Sequence, residues 1–293
     1  MITNLCTRRW VKLCFALTAL TVVVFGLFLE RVLRQAREQR EIIAPIKAGG
    51  GYVYYDWQGE HAEWLEPSTP LSRGDSHPPA PTWLRWLLGD DCFQSVVFIR
   101  PYGGVTDAML ESFKKLHKLR SIVIESNHRV TDKGWEHLGD LSTLEAIRVR
   151  RSDIHDQALS KLRQLKKLKL LWLQATPITD KGLEYIGELA GLEELRLDGT
   201  PVTDTGVKQI GKLTALQCLG LSYTTIDDQG LEQLRKLTSL RELDLEGTNI
   251  TAGGLEHLKV LVQLHSLSLV KTHVTDEGEK MLAQALPGCV ISR

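Results

Sequence analysis

The residue types best suited to chemistry here are nine histidines, five cysteines and a recurring aspartate. Histidine can carry a proton near neutrality or hold a metal. His61-Ala-Glu63 has the spacing of a zinc-binding histidine beside a general acid/base glutamate, but no Pro-Cys-x-x-Cys follows to complete such a site. No His-Glu-x-x-His, Gly-x-Ser-x-Gly or phosphate-cradling glycine loop occurs. Cys6, Cys14, Cys92, Cys218 and Cys289 contain no Cys-x-x-Cys pair, so neither a zinc knuckle nor a disulfide framework is readable. Cys218 falls on a strand and would need a lowered pKa to react, with no histidine adjacent. The aspartates stand in Thr-Asp-x-Gly phrases at the starts of short helices, where accepting hydrogen bonds from free amides outweighs metal binding. The sequence therefore predicts no catalytic residue, no cofactor and no metal. An enzyme using the region of His61 and Glu63 is the minor alternative.

The elements that position these residues repeat. Val130-Thr-Asp, Ile154-His-Asp, Ile178-Thr-Asp, Val202-Thr-Asp, Ile226-Asp-Asp, Ile250-Thr-Ala and Val274-Thr-Asp recur every 24 residues, and Val105-Thr-Asp begins the series 25 residues before Val130. Each unit carries two periodicities in fixed order. Leu183, Ile186 and Leu189 are spaced as one stripe of a short helix, and Leu195 and Leu197 as one face of a strand. Such a helix is too short to stand alone in water, and each strand needs neighbours for its ladder. Stacking the units solves both problems. Parallel strands at about 4.8 Å then form one sheet, and the wider helices lie outside it, leaving the sheet on the concave side.

The spacing Leu192-x-x-Leu195-x-Leu197-x-x-Thr200 resembles the leucine-rich-repeat family. The resemblance implies an α/β leucine-rich-repeat solenoid, with a parallel sheet on the concave face and short helices on the convex one. Where the family usually has Asn, this chain has Asn127, Ser152, Thr176, Thr200, Thr224, Thr248 and Thr272. The Thr-Asp-x-Gly-Leu phrase looks like the repeats of ubiquitin-ligase adaptors, but no F-box-like helical domain precedes it. The layout is more similar to the membrane-anchored repeat proteins of planctomycete bacteria. It has an arginine-flanked N-terminal helix, a Gly50-to-Asp56 segment, a Trp83-to-Asp91 segment and then repeats. That resemblance implies no catalytic residues.

Before the repeats the chain divides by composition. Residues 1–12 form a basic tail, and 13–29 a charge-free run of 17 residues, about 26 Å as a helix. The sequence predicts a transmembrane anchor there, since no small-residue cleavage site follows. Residues 30–48 read as a solvated juxtamembrane helix with Arg34–Glu38 and Arg37–Glu41 pairs, ended or kinked at Pro45. Residues 49–91 read as connector and N-terminal cap. There Tyr52–Trp57 suggest a short strand, and Trp83–Leu88 a helix covering the open end of the core. Residues 92–293 are the repeat domain. The expected location is a single-pass membrane protein with its repeats outside the cytoplasm.

Lys+Arg and Asp+Glu both number 36, which gives no reason to expect nucleic acid as a partner. Strand alternation nevertheless sorts charge along the concave face. Arg148, Arg150, Arg151 and Arg196 gather around Trp172 at one end, and Asp244 and Glu246 lie at the other. Two readings stay open. The patch recognises a protein or peptide, or a glycan, because Trp and Arg dominate interface energies. Alternatively, Arg148 and Arg196 stack on Trp172 and satisfy it internally. The expected function is a membrane-anchored binding module, and an envelope scaffold is the alternative.

Overall fold

The computed structural model describes residues 3–58 and 77–293, with side chains from Leu17 onward. His61 and Glu63 lie outside the described residues. The chain opens with α1 (Thr3–Ala48) and β1 (Tyr52–Tyr55), and continues after the undescribed stretch with α2 (Thr82–Leu88). Then come β2 (Val96–Arg100), α3 (Asp107–Ser112), β3 (Ser121–Glu125), α4 (Asp132–Glu136), β4 (Ala146–Arg150) and α5 (Asp156–Leu162). The series runs on through β5 (Leu170–Trp172), α6 (Asp180–Ile186), β6 (Glu194–Arg196), α7 (Asp204–Ile210), β7 (Cys218–Gly220), α8 (Asp228–Leu234) and β8 (Glu242–Asp244). A 3-10 helix (Gly254–Val260), β9 (Ser266–Ser268), α9 (Asp276–Ala285) and β10 (Val290–Ser292) complete it. The strands form one ten-stranded sheet in sequence order. From β2 to β10 it is parallel, while β1 joins its edge antiparallel to β2.

The apolar skeleton of each unit makes the core. Leu183, Ile186, Leu189, Leu192, Leu195 and Leu197 are all buried, and the same holds at the matching positions of the neighbouring units. Each such side chain contributes about 2 kcal/mol when fully withdrawn from water. The threonines in the family's Asn position turn inward as well. Thr176, Thr200, Thr224 and Thr248 donate to the carbonyl three residues back, at 2.6–2.7 Å. Asn127 does more, donating to Val105 O of the preceding unit and accepting from Arg129 N and Val130 N.

The Thr-Asp-x-Gly phrase is a joint between units. The threonine caps its own helix, as Thr179 Oγ1 does for Lys181 N and Thr203 Oγ1 for Thr205 N. The aspartate, expected to cap as well, reaches instead to the next unit. Asp156 accepts from Thr179 N and Oγ1 at 2.8 and 2.6 Å, and Asp180 does the same for Thr203. The glycine follows from this bond. A β-carbon on Gly182 or Gly206 would collide with the carboxylate of Asp156 or Asp180. Two joints depart from the pattern: His155 stands in the threonine's place and meets Asp132, and Asp227 stands there and meets Asp204. At the second, burial first, then the neighbouring carboxylate, hold the Asp204 carboxyl above its ordinary pKa.

The N-terminal expectations are corrected in three places. The helix over residues 30–48 is not a solvated stalk. Ala36, Ile42, Ile43 and Ile46 are buried against the first unit, and Gln39 accepts from Val96 N at 3.1 Å and donates to Gln94 O at 3.2 Å. Pro45 does not end it, and Arg34 pairs backward with Glu30 at 2.9 Å rather than forward with Glu38. The Trp83–Leu88 helix does not cover the core. Trp83 and Trp86 are 66% and 86% exposed, so α1 and β1 are the cap.

Among the described residues no helix is long and apolar enough to cross a membrane. The described side chains of the expected crossing at residues 13–29 begin at Leu17.

Candidate binding face

The register of the sheet aligns the outward side chains in rows. Arg148 pairs with Trp172, Trp172 with Arg196, Arg196 with Gly220, and Gly220 with Asp244. A second row runs beside it, through Glu194, Cys218 and Glu242. Sequence alternation foresaw the first row. It overlooked Glu194, which ties the two rows together.

Trp172 sits at the centre of a connected network. The Arg148 guanidinium lies 4.4 Å from its ring centre, and only 7% of Arg148 is exposed. On the other side Trp172 Nε1 donates to Glu194 Oε1 at 2.9 Å. Arg196 does not stack as expected. Its Nε donates to the same Glu194 oxygen at 3.4 Å, and its Nη2 reaches Cys218 Sγ at 3.0 Å and Glu242 Oε2 at 3.6 Å. Cys218 in turn donates to Glu242 Oε2 at 3.2 Å. Burial, reinforced by the two glutamates and opposed by Arg196, pushes the Cys218 thiol up to about 12. It therefore stays protonated and is a poor nucleophile. Internal pairing thus accounts for Arg148, Trp172 and Arg196, which are linked through the Trp172 ring and Glu194.

The remaining predicted residues lie beside this network. Arg150 is exposed, 3.8 Å from Glu125. Arg151 follows β4 in the left-handed region at φ 49°, with its side chain exposed. Asp244 accepts from Glu246 N at 3.0 Å at the acidic end. Glu246 also holds Tyr223 and Lys271, the latter at 2.8 Å, and these two partners keep its carboxyl below the ordinary range. Tyr223 and Lys271 were not foreseen. Both occupy the left-handed position of their units, at φ 53° and 57°, where Gly247 stands in the unit between. The Tyr223 ring lies across Gly247, whose missing side chain makes the room, and Lys271 Nζ donates to its hydroxyl at 2.6 Å.

An aromatic group at the opposite end was also missed. β1 sets Tyr52 opposite Arg100 and Tyr54 opposite Phe98, so the open face gains a strand before the first repeat. The alternation of Tyr52 and Tyr54 was visible, but nothing in the spacing tied it to this sheet. Burial first, then Tyr52, raises the Tyr54 phenol above its ordinary pKa, so it stays neutral. Among the described residues no group of three or more His, Cys, Asp or Glu is placed to hold a metal ion.

Comparison with known proteins agrees with this architecture. The family model described as Leucine Rich repeat matches residues 236–259, one unit. No curated protein sequence matches the chain. Among solved structures, an internalin (inlF) from Listeria monocytogenes str. 4b F2365 is similar at 22% identity and a TM-score of 0.52, over 62% of this chain and 49% of that one. Internalin C2 (inlC2) from the same strain is similar at 21% identity and a TM-score of 0.54, over 67% of this chain and 80% of that one. The chain spans about half the length of the first of these. At such identity the likeness establishes the fold and no more: a leucine-rich-repeat solenoid.

Proposed function

We propose that the chain is a membrane-tethered binding module that holds a protein or peptide against the open face of its sheet. The observation that carries this reading is the sorting of charge on a rigid surface. Exposed Arg150 and Arg151 lie at one end, and Glu242 lies exposed at the other, with its side chain 59% accessible. The Arg148–Trp172–Glu194–Arg196 network between them is already ordered, so little side-chain freedom is lost when a partner docks. An acidic group on the partner fits the first end and a basic group the second.

The tether rests on α1. Leu17, Leu20, Val22, Val23, Val24, Phe25, Leu27 and Phe28 are all more than half exposed, on every side of the helix. A contiguous apolar surface of this kind calls for lipid or a partner. Arg31, Arg34 and Arg37 follow, suited to anionic headgroups. This is the arrangement of the membrane-anchored repeat proteins that the sequence resembles. Under this reading the repeats lie outside the cytoplasm, and protease added to intact cells digests them.

The test places a photocrosslinking amino acid at Arg150 or Tyr223 on the sheet face, and at Glu184 or Lys208 on the helix face. The reading expects one partner to crosslink from the sheet positions only, and the crosslink to disappear when Arg151→Glu is added. Equal crosslinking from both faces would overturn it.

A further inference from the structure

The N-terminal end of the open face carries a surface that the repeats do not supply. Tyr54 packs on Phe98 with ring centres 5.0 Å apart, and Tyr52 lies 6.4 Å from Tyr54. Tyr102 meets Tyr52 nearly edge-on, at 5.5 Å and 75°. The Arg100 guanidinium lies 5.4 Å from the Tyr102 ring and 2.8 Å from Glu125. Packing within the fold accounts for Phe98, which is 3% exposed. It leaves Tyr52 and Tyr102 at 42% and 45% exposure, side by side on a strand and the turn after its neighbour. Rigid tyrosines of this kind offer large contact area at small entropic cost, and such residues dominate interface energies. The charge beside them is net positive, since Arg100, Arg150 and the exposed Arg151 outnumber Glu125, which pairs with the first two at 2.8 and 3.8 Å, while Glu242, Asp244 and Glu246 lie at the far end.

From these observations we infer that the aromatic end is the anchoring subsite for an extended acidic peptide. A large aromatic side chain of the peptide packs on Tyr52 and Tyr102, and its carboxylates reach Arg150 and Arg151. The geometry sets the peptide's spacing. Two strand steps separate the column of Tyr102 from that of Arg150, roughly 10 Å, or about three residues of extended chain. The aromatic residue and the first acid are therefore three positions apart. This inference rests on the open-face reading and names the partner's chemistry.

The test uses the full chain in detergent micelles and a fluorescein-labelled peptide, Ser-Phe-Ser-Ser-Glu-Glu-Ser, read by anisotropy. Binding is expected, with Kd at least tenfold weaker for Tyr102→Ala and for Arg150→Glu, and changed less than twofold for Glu184→Lys on the helix face. Peptides with Phe replaced by Ala, or Glu by Lys, should not bind. Because Tyr102 is half exposed, the Tyr102→Ala variant should melt like the parent, and circular dichroism verifies this. Absence of binding, a Tyr102→Ala Kd equal to the parent's, or displacement of the peptide by a neutral oligosaccharide would each overturn the inference. If any of these occurs while the Arg150 crosslink still captures a partner, the subsite fails and the open-face reading stands.

Discussion

The Arg148 guanidinium rests 4.4 Å above the Trp172 ring, and the indole N–H of the same ring donates to Glu194 at 2.9 Å. One tryptophan thus uses its face for a cation on the preceding strand and its edge for an anion on the following one. Both contacts are partly withdrawn from water, where such interactions are worth more than at an open surface.

Trp172→Ala removes both contacts together and leaves Arg148 buried without its stack. The expected cost is about 2–3 kcal/mol, whereas Trp172→Phe, which keeps the stack and loses the N–H bond, costs about 1 kcal/mol. Urea unfolding of the three proteins measures the difference. Equal stability of Trp172→Ala and the parent would show that the network contributes nothing.

Gly206→Ala drives a methyl group into the Asp180 carboxylate and the Leu183 side chain. Displacing that carboxylate breaks its bonds to Thr203. The expected destabilisation is about 2 kcal/mol. Added to Asp180→Ala, the same substitution costs less, and a double-mutant cycle reads that coupling. Additive effects would separate the glycine from the joint.

Asp227 faces Asp204 where the neighbouring joints have a threonine hydroxyl. The folded carboxyl of Asp204 has a raised pKa, so its protonated form favours folding. This contribution is complete below the unfolded carboxylate pKa and is lost as pH climbs through the raised folded value. Asp227→Thr restores the hydroxyl donor and removes the repulsion. It should stabilise the solenoid by about 1 kcal/mol at pH 7, with the gain shrinking towards pH 4. Thermal melts across that range test it, and a gain independent of pH would contradict the pairing.

Gln39 supplies both a donor and an acceptor where α1 meets the start of β2. Gln39→Leu leaves Val96 N and Gln94 O without those bonds in a site where the glutamine is 7% exposed. The expected loss is about 1–3 kcal/mol. Hydrogen exchange at Val96 should accelerate in the variant, and unchanged protection there would show that α1 does not seal the sheet.

The repeated skeleton was legible because Leu and Ile recur at fixed spacing and only stacking shelters them. The first row of the open face was legible for the same reason, since a constant period gives the strand register. Side-chain pairing was not, because Glu194 belongs to a neighbouring row and its choice of Trp172 over solvent depends on ring orientation. The cap was misread because opposite charges on residues 30–41 suggest a solvated helix. The apolar stripe of Ala36, Ile43 and Ile46, at roughly helical spacing, was the signal that this helix has a buried side. Trp83 and Trp86 drew attention by size alone, and burial did not follow.

The Tyr223 ring crosses Gly247 to reach Lys271, so three successive units are bound to one another in a fixed order. Solenoids commonly lengthen and shorten by gaining or losing whole units. Excision of residues 226–249 would leave the core spacing intact yet bring Tyr223 beside Lys271 with no glycine between them, and the ring would strike the lysine's β-carbon. Losing that unit would therefore cost Tyr223 both its seat over Gly247 and its bond to Glu246, so the three units are coupled beyond their shared core.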